Sequence, residues 1–122
     1  MKFMEFSEVT DKIICCFYNV YNVLGYGFLE KVYEKALLIE MKKFGLDVQA
    51  QHPISVYYEG EVIGEYFADL FVNDSVIIEI KATRKIAIEH EAQLLNYLKA
   101  TGQKVGLLMN FGPNPEFKRK VF

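Results

Sequence analysis

Apolar residues recur along this chain with two different periods. In 7–24, Ile13, Phe17, Val20 and Leu24 fall three and four residues apart, as on one face of a helix, and Gly25-Tyr26-Gly27 ends the run. A second helix is predicted over 28–44, with Leu29, Val32, Tyr33, Ala36, Leu37 and Phe44 as its inward stripe. Gly45 stops it, and Lys42-Lys43 in its last turn suit the negative end of the helix dipole. From 46 to 58 the pattern becomes β-like, with a turn at Glu59-Gly60 and an irregularity or edge expected at Pro53. Strands over 62–72 and 76–82 continue a meander. A helix over 88–100 follows, ended by Thr101-Gly102, then an apolar strand over 104–110 and a proline-containing tail that could add an edge strand at 117–122.

This order predicts an α/β fold. A helical crossover between the third and fourth strands favours a parallel pair joined right-handedly, which makes the third strand central. A central strand covered on both faces should be continuously apolar. Val76-Ile77-Ile78 conforms, and Glu79 and Lys81 interrupt it.

Alternation puts Glu79 and Lys81 on one face and Ile80 on the other. Whether Asp69 shares that face depends on the turn after Val72. A two-residue loop at Asn73-Asp74 would pair Asp69 with Ile78 and separate the acids. A three-residue loop that includes Ser75 would pair Asp69 with Glu79. Opposed carboxylates repel, so this second register, the one expected here, calls for a cation or proton between them. Such oxygen donors suit a hard divalent ion such as Mg2+. The alternative is that Glu79 and Lys81 are solvated residues on an open sheet face; buried charge without a partner is costly, which favours function.

Composition narrows the choices. The chain has 122 residues, 52% of them hydrophobic, which fits one domain spanning 1–122. No apolar run is long enough to cross a membrane, and the acidic N-terminal stretch lacks the form of a signal peptide, so a cytoplasmic location is expected. Cys15 and Cys16 are adjacent and give no disulfide framework. Net charge is −2, and the basic residues are only loosely grouped at Arg84-Lys85, Lys99 with Lys104, and 118–120. Strong non-specific grip on DNA by a monomer is therefore not expected.

Other candidates keep two readings. Glu30, in the first turn of the second helix, either complements the helix dipole or points into the acidic site. Gln93 shares a helical face with His90 and Tyr97; that face either looks toward the site or makes ordinary internal hydrogen bonds. Arg84, Lys85 and Lys31 either meet phosphates or are simply solvated. His52 and His90 do not argue for zinc, and the chain has no P-loop and no nucleophile elbow.

With Gly27-Phe-Leu-Glu30-Lys-Val-Tyr33, YEGEVIGEYFADLFV, IIEIKA, AQLLNYLKATG and VGLLMNFG in view, the sequence resembles the small prokaryotic family named for its GxxExxY motif, placed in the PD-(D/E)XK nuclease-like superfamily. The likeness runs from about residue 13 to residue 122. It implies a restriction-endonuclease-like core, αβββαβ, with a mixed sheet of four or more strands flanked by helices and an extra N-terminal helix. It also implies a nuclease that hydrolyses phosphodiester bonds with Mg2+ or Mn2+. Asp69, Glu79 and the Ile80 carbonyl would hold the metal; Lys81, Glu30 and Gln93 would be catalytic; Arg84 and Lys85 would contact substrate. The motif proline is missing, since Ala68 precedes Asp69. DNA is the expected partner, and a homodimer is expected because so small and acidic a chain has little surface to hold a duplex. The competing expectation is a non-catalytic nucleic-acid-binding or accessory protein that keeps the fold.

Overall fold

In the computed structural model, which describes residues 2–122 and their side chains from Ser7 onward, the two periods resolve into eight elements. They are α1 (Lys2–Leu24), α2 (Glu30–Lys43), β1 (Val48–Tyr58), β2 (Glu61–Val72), β3 (Val76–Lys81), α3 (Ile88–Thr101), β4 (Val105–Phe111) and β5 (Pro115–Val121). The first helix begins earlier than its apolar spacing predicts. The tail supplies a full edge strand, which starts at Pro115, where a missing amide donor costs an edge strand little.

The sheet runs β1-β2-β3-β4-β5, with β3 and β4 parallel and the other neighbours antiparallel. β3 is central, as the crossover through α3 requires. Its register with β2 is Val72 opposite Val76 and Leu70 opposite Ile78, the three-residue-loop alternative. The turn reaches it with Asn73 and Asp74 both left-handed, at φ +51°, a conformation these two residue types tolerate better than most.

The two faces of the sheet are filled differently. On one, α1 and α2 bury Ile13, Phe17, Tyr33 and Leu37 against Leu70, Ile78, Ile80, Leu107 and Phe111. Tyr33 stacks on Phe111 at 4.1 Å and donates its hydroxyl to the Gly25 carbonyl at 2.8 Å, so the α1–α2 connection is tied to the core. On the other face, α3 packs Leu94, Tyr97 and Leu98 against Phe71, Ile77 and Leu108. A Cβ on Gly106 would lie 2.7 Å from a Leu94 methyl, so glycine there lets α3 settle close to β4.

Alternation fails at one place. Leu70 and Val72 join the core under α1 and α2, yet Ala68, two residues from Leu70, joins the core under α3. β1 slips at the same level: Val48 packs under α1 and α2, whereas Ile54 lies under α3. Between them stands Gln51, at φ +54°, directly opposite Asp69 in the β1–β2 register and missing from the paired positions. The ladder between β2 and β3 also ends here, at Leu70 with Ile78. Past this level β1 and β2 continue together as an arm that β3 does not accompany.

Candidate active site at the strand divergence

Asp69 sits where β2 leaves β3. Its Oδ2 accepts a hydrogen bond from the Ile80 backbone N–H at 2.7 Å, taking the part a strand carbonyl would have played. A strand residue directs its N–H and C=O to the same side, so the Ile80 carbonyl also faces the β2 side. The Ile80 side chain points the other way, into the core under α1 and α2.

Glu79 is 6% exposed and lies against Asp69, close enough for the two carboxyl groups to share a hydrogen bond once one is protonated. Burial is the main cause that pushes the Glu79 carboxyl up to about 9, and the hydrogen bond to Asp69 and its charge add to it. The nearby Lys81 charge and a backbone hydrogen bond from Asp69 pull the other way. Lys81, the last residue of β3, is half-buried on the Glu79 face and makes no ion pair among the described residues.

α3 closes the pocket from above. Tyr97, 6% exposed, has its hydroxyl held above the usual phenol range, first by burial and then by the Glu79 charge. Gln93, one turn earlier, donates Nε2 to the Tyr97 hydroxyl at 2.7 Å. Gln93 thus makes an internal hydrogen bond, and its partner is the tyrosine within reach of the Glu79 charge. Tyr97 is the neighbour that sequence reasoning left unassigned, although its four-residue spacing from Gln93 was the available signal.

The loop after Lys81 is pinned from β4. Asn110, fully buried, accepts from the Thr83 N–H and donates to the Thr83 carbonyl, both at 2.9 Å. A Cβ on Gly112 would fall 2.2 Å from the Thr83 carbonyl oxygen, so only glycine leaves room for this approach. Arg84 and Lys85 follow as exposed loop residues, and Thr83 Oγ1 donates to the Lys85 carbonyl at 2.7 Å. No residue sequence marks Asn110 or Gly112 as part of this clamp; it exists only once β3 and β4 are side by side.

Glu30 does not join the carboxylate pair. It is exposed at the first position of α2, whose inward stripe faces the opposite side of the sheet, and among the described residues no cluster of three or more His, Cys, Asp or Glu side chains is placed to hold a metal. The buried acid of α2 is Glu34 instead. It is 6% exposed, accepts from Gln51 Nε2 at 2.8 Å, and is 3.3 Å from Lys31 Nζ. Its spacing from Leu37 and Met41 would have put it on the inward stripe. The histidines have structural partners: His90 accepts from the Ala87 N–H at 3.0 Å at the start of α3, and the His52 ring lies tilted against Phe71, centroids 4.4 Å apart.

The donor set fits a hard divalent cation. Two adjacent carboxylates in a buried setting must otherwise hold a proton between them, and one carbonyl faces the same gap. Asp69, Glu79 and the Ile80 carbonyl are the groups that would bind it. Among the described residues, no helix is long and apolar enough to cross a membrane.

Comparison with known proteins gives the family. No curated protein matches the sequence. Among solved structures, the crystal structure of SSO0001 superposes with a TM-score of 0.59 at 20% identity, over 75% of this chain and 50% of that one, so the present chain spans about half of SSO0001. Hjc, a Holliday junction resolvase from Archaeoglobus fulgidus, aligns with a TM-score of 0.47 at 14% identity over 75% of this chain and 71% of its own. The first likeness shows the fold: a mixed five-stranded sheet between helices. A family model described as the PD-(D/E)XK nuclease superfamily matches residues 7–120, nearly the whole length, and the chain belongs to that superfamily.

Proposed function

We propose that this protein is a divalent-metal-dependent nuclease that hydrolyses phosphodiester bonds in DNA at the point where β2 parts from β3. The observation that carries this is the buried contact between the Asp69 and Glu79 carboxyl groups beside Lys81. A fold gains nothing by placing two acids together in a low dielectric, whereas a cation-binding site needs them.

Mg2+ or Mn2+ held there would supply a Lewis acid that offsets charge on the phosphate and lowers the pKa of water. The remaining work falls to the chain. Asp69 keeps one oxygen on the Ile80 amide, which fixes the other toward the gap. Lys81 directs its ammonium group at the attacking water or a phosphate oxygen. Gln93 holds Tyr97, and the pair restricts the access of bulk water from the α3 side. Arg84 and Lys85, on the loop that Asn110 clamps, meet the flanking phosphates. Gly27, Glu30 and Tyr33 support the narrower GxxExxY assignment; of these, Tyr33 has a structural task in tying the α1–α2 connection. A cytoplasmic homodimer is part of this reading, since a second copy would enlarge the surface that a chain of net charge −2 offers to nucleic acid.

The test is cleavage of a panel of DNA and RNA substrates in Mg2+ or Mn2+ by the wild type, Asp69→Ala and Lys81→Ala. Loss of cutting in both variants supports the proposal. Equal cutting by all three would assign the activity to a contaminant. The exposure of Glu30 favours a second reading, a non-catalytic nucleic-acid-binding or accessory protein. No cutting by the wild type, with no ion binding by calorimetry, would select it.

A further inference from the structure

A groove of about 800 Å3 opens between α3 and the free arm of the β1–β2 hairpin, next to the acids. Its walls include Val56, Tyr57 and Tyr66 from the arm and Gln93, Asn96 and Tyr97 from the helix. Its size is that of a small-molecule cleft, and its chemistry is that of a base-binding one. Tyr66 and Tyr97 have ring centroids 5.7 Å apart at 45°, a tilted pair in which Tyr97 is buried and Tyr66 supplies the exposed ring. Tyr57 and Tyr66 are 64% and 48% exposed and present uncovered aromatic surface to the groove. The amides of Gln93 and Asn96 each offer a donor and an acceptor, the match for a base edge. Lys99 also lines the groove and makes no ion pair among the described residues, leaving its charge for a phosphate. Glu89, another lining residue, marks ground that a phosphate backbone would avoid.

The groove borders the acidic site through Tyr97, which lines it with Gln93 and is also within reach of the Glu79 and Asp69 charges. In duplex DNA the bases are stacked inside and cannot lie on a protein tyrosine; an unpaired strand presents them freely. The loose grouping of basic residues points the same way, since duplex gripped by its backbone needs a basic surface.

We infer that this groove receives unpaired nucleobases on the tyrosines, so that the preferred substrate carries a single-stranded segment beside the bond to be cut. This rests on the nuclease reading only for the cutting step, not for binding.

The experiment follows fluorescence anisotropy of a labelled single-stranded oligonucleotide and of the corresponding duplex in metal-free buffer. Wild type should bind the single strand more tightly. Tyr57→Ala and Tyr66→Ala should each weaken single-strand binding about tenfold, while Tyr57→Phe and Tyr66→Phe should stay within about twofold. Thermal unfolding followed by circular dichroism identifies any variant that has lost its fold, and Tyr57 is exposed enough to be altered safely. Equal or tighter binding of duplex, or alanine variants that bind like wild type, would overturn the inference. Cutting is then measured separately in Mg2+. Aromatic-dependent binding with no cutting overturns the nuclease reading and leaves the groove assigned. Cutting of duplex at the single-strand rate, untouched by Tyr57→Ala, does the reverse.

Discussion

The two faces of the sheet divide the labour. Under α1 and α2 the core is apolar and closed, with Tyr33 stacked on Phe111 and Leu37 wholly buried. Under α3 the apolar packing, from Ile54, Ala68 and Phe71 to Ile77 and Leu108, gives way at its margin to the Asp69–Glu79 pair, the Gln93–Tyr97 bond and an open groove. The contrast teaches where the chain can tolerate unfavourable groups: one face supplies stability enough for the other to hold a buried acid pair.

The largest effect expected from this division is on activity alone. Lys81→Met should lower cleavage by about a hundredfold or more, with the thermal midpoint unchanged or higher; a midpoint that falls with the activity would mean Lys81 holds the fold together. Next comes the mirror-image change. Leu37→Ala, in the closed face, should destabilise by about 3 kcal/mol in denaturant unfolding, while the folded fraction keeps its kcat. A change in kcat at full folding would show that the faces are coupled.

A pH series sharpens the comparison further. The folded Glu79 carboxyl is raised from its ordinary value to about 9, so the folded state holds a proton that the unfolded chain has lost. Metal-free stability should therefore be full below the ordinary glutamate range, fall as pH rises through about 9, and level off above it. Mg2+ must displace that proton, so its affinity should rise with pH over the same window. Calorimetry in buffers of different ionisation enthalpy checks this: proton release near neutral pH is the expected result, and its absence would mean that Glu79 is already ionised. The smallest effect is Glu30→Gln. An exposed residue outside the pair should change cleavage by no more than about twofold, and a larger loss measured at saturating metal would place Glu30 at the reaction after all.

Much of this was legible from the residues. The β3 register was expected despite the repulsion it sets up between Asp69 and Glu79, on the ground that a cation or proton would lie between them, and the left-handed Asn73 and Asp74 are residue types suited to that turn. The tip at Glu59-Gly60 was equally readable, with both residues at positive φ, +53° and +81°. What could not be read was the slip in alternation. Glutamine has no preference for φ +54°, so nothing in Gln51 announces that its strand changes face there. The Asn110–Thr83 clamp was hidden for another reason: its partners are 27 residues apart and meet only through the parallel pairing. Glu30 has the helical spacing to Tyr33 and Leu37 that the inward stripe requires, and only the packing of α2 shows that burial begins about one turn later, at Tyr33.

The free arm has a consequence for how such a protein can diversify. In the sheet, residues 52–58 and 61–68 pair only with each other, while the acids are anchored at the arm's root by β3 and by the Ile80 amide. Residues added or removed at the Glu59-Gly60 tip would lengthen or shorten one wall of the groove and leave the root where it is. Reach is thereby separated from reactivity, and one unchanging reaction centre can be fitted to longer or shorter strands by insertion alone.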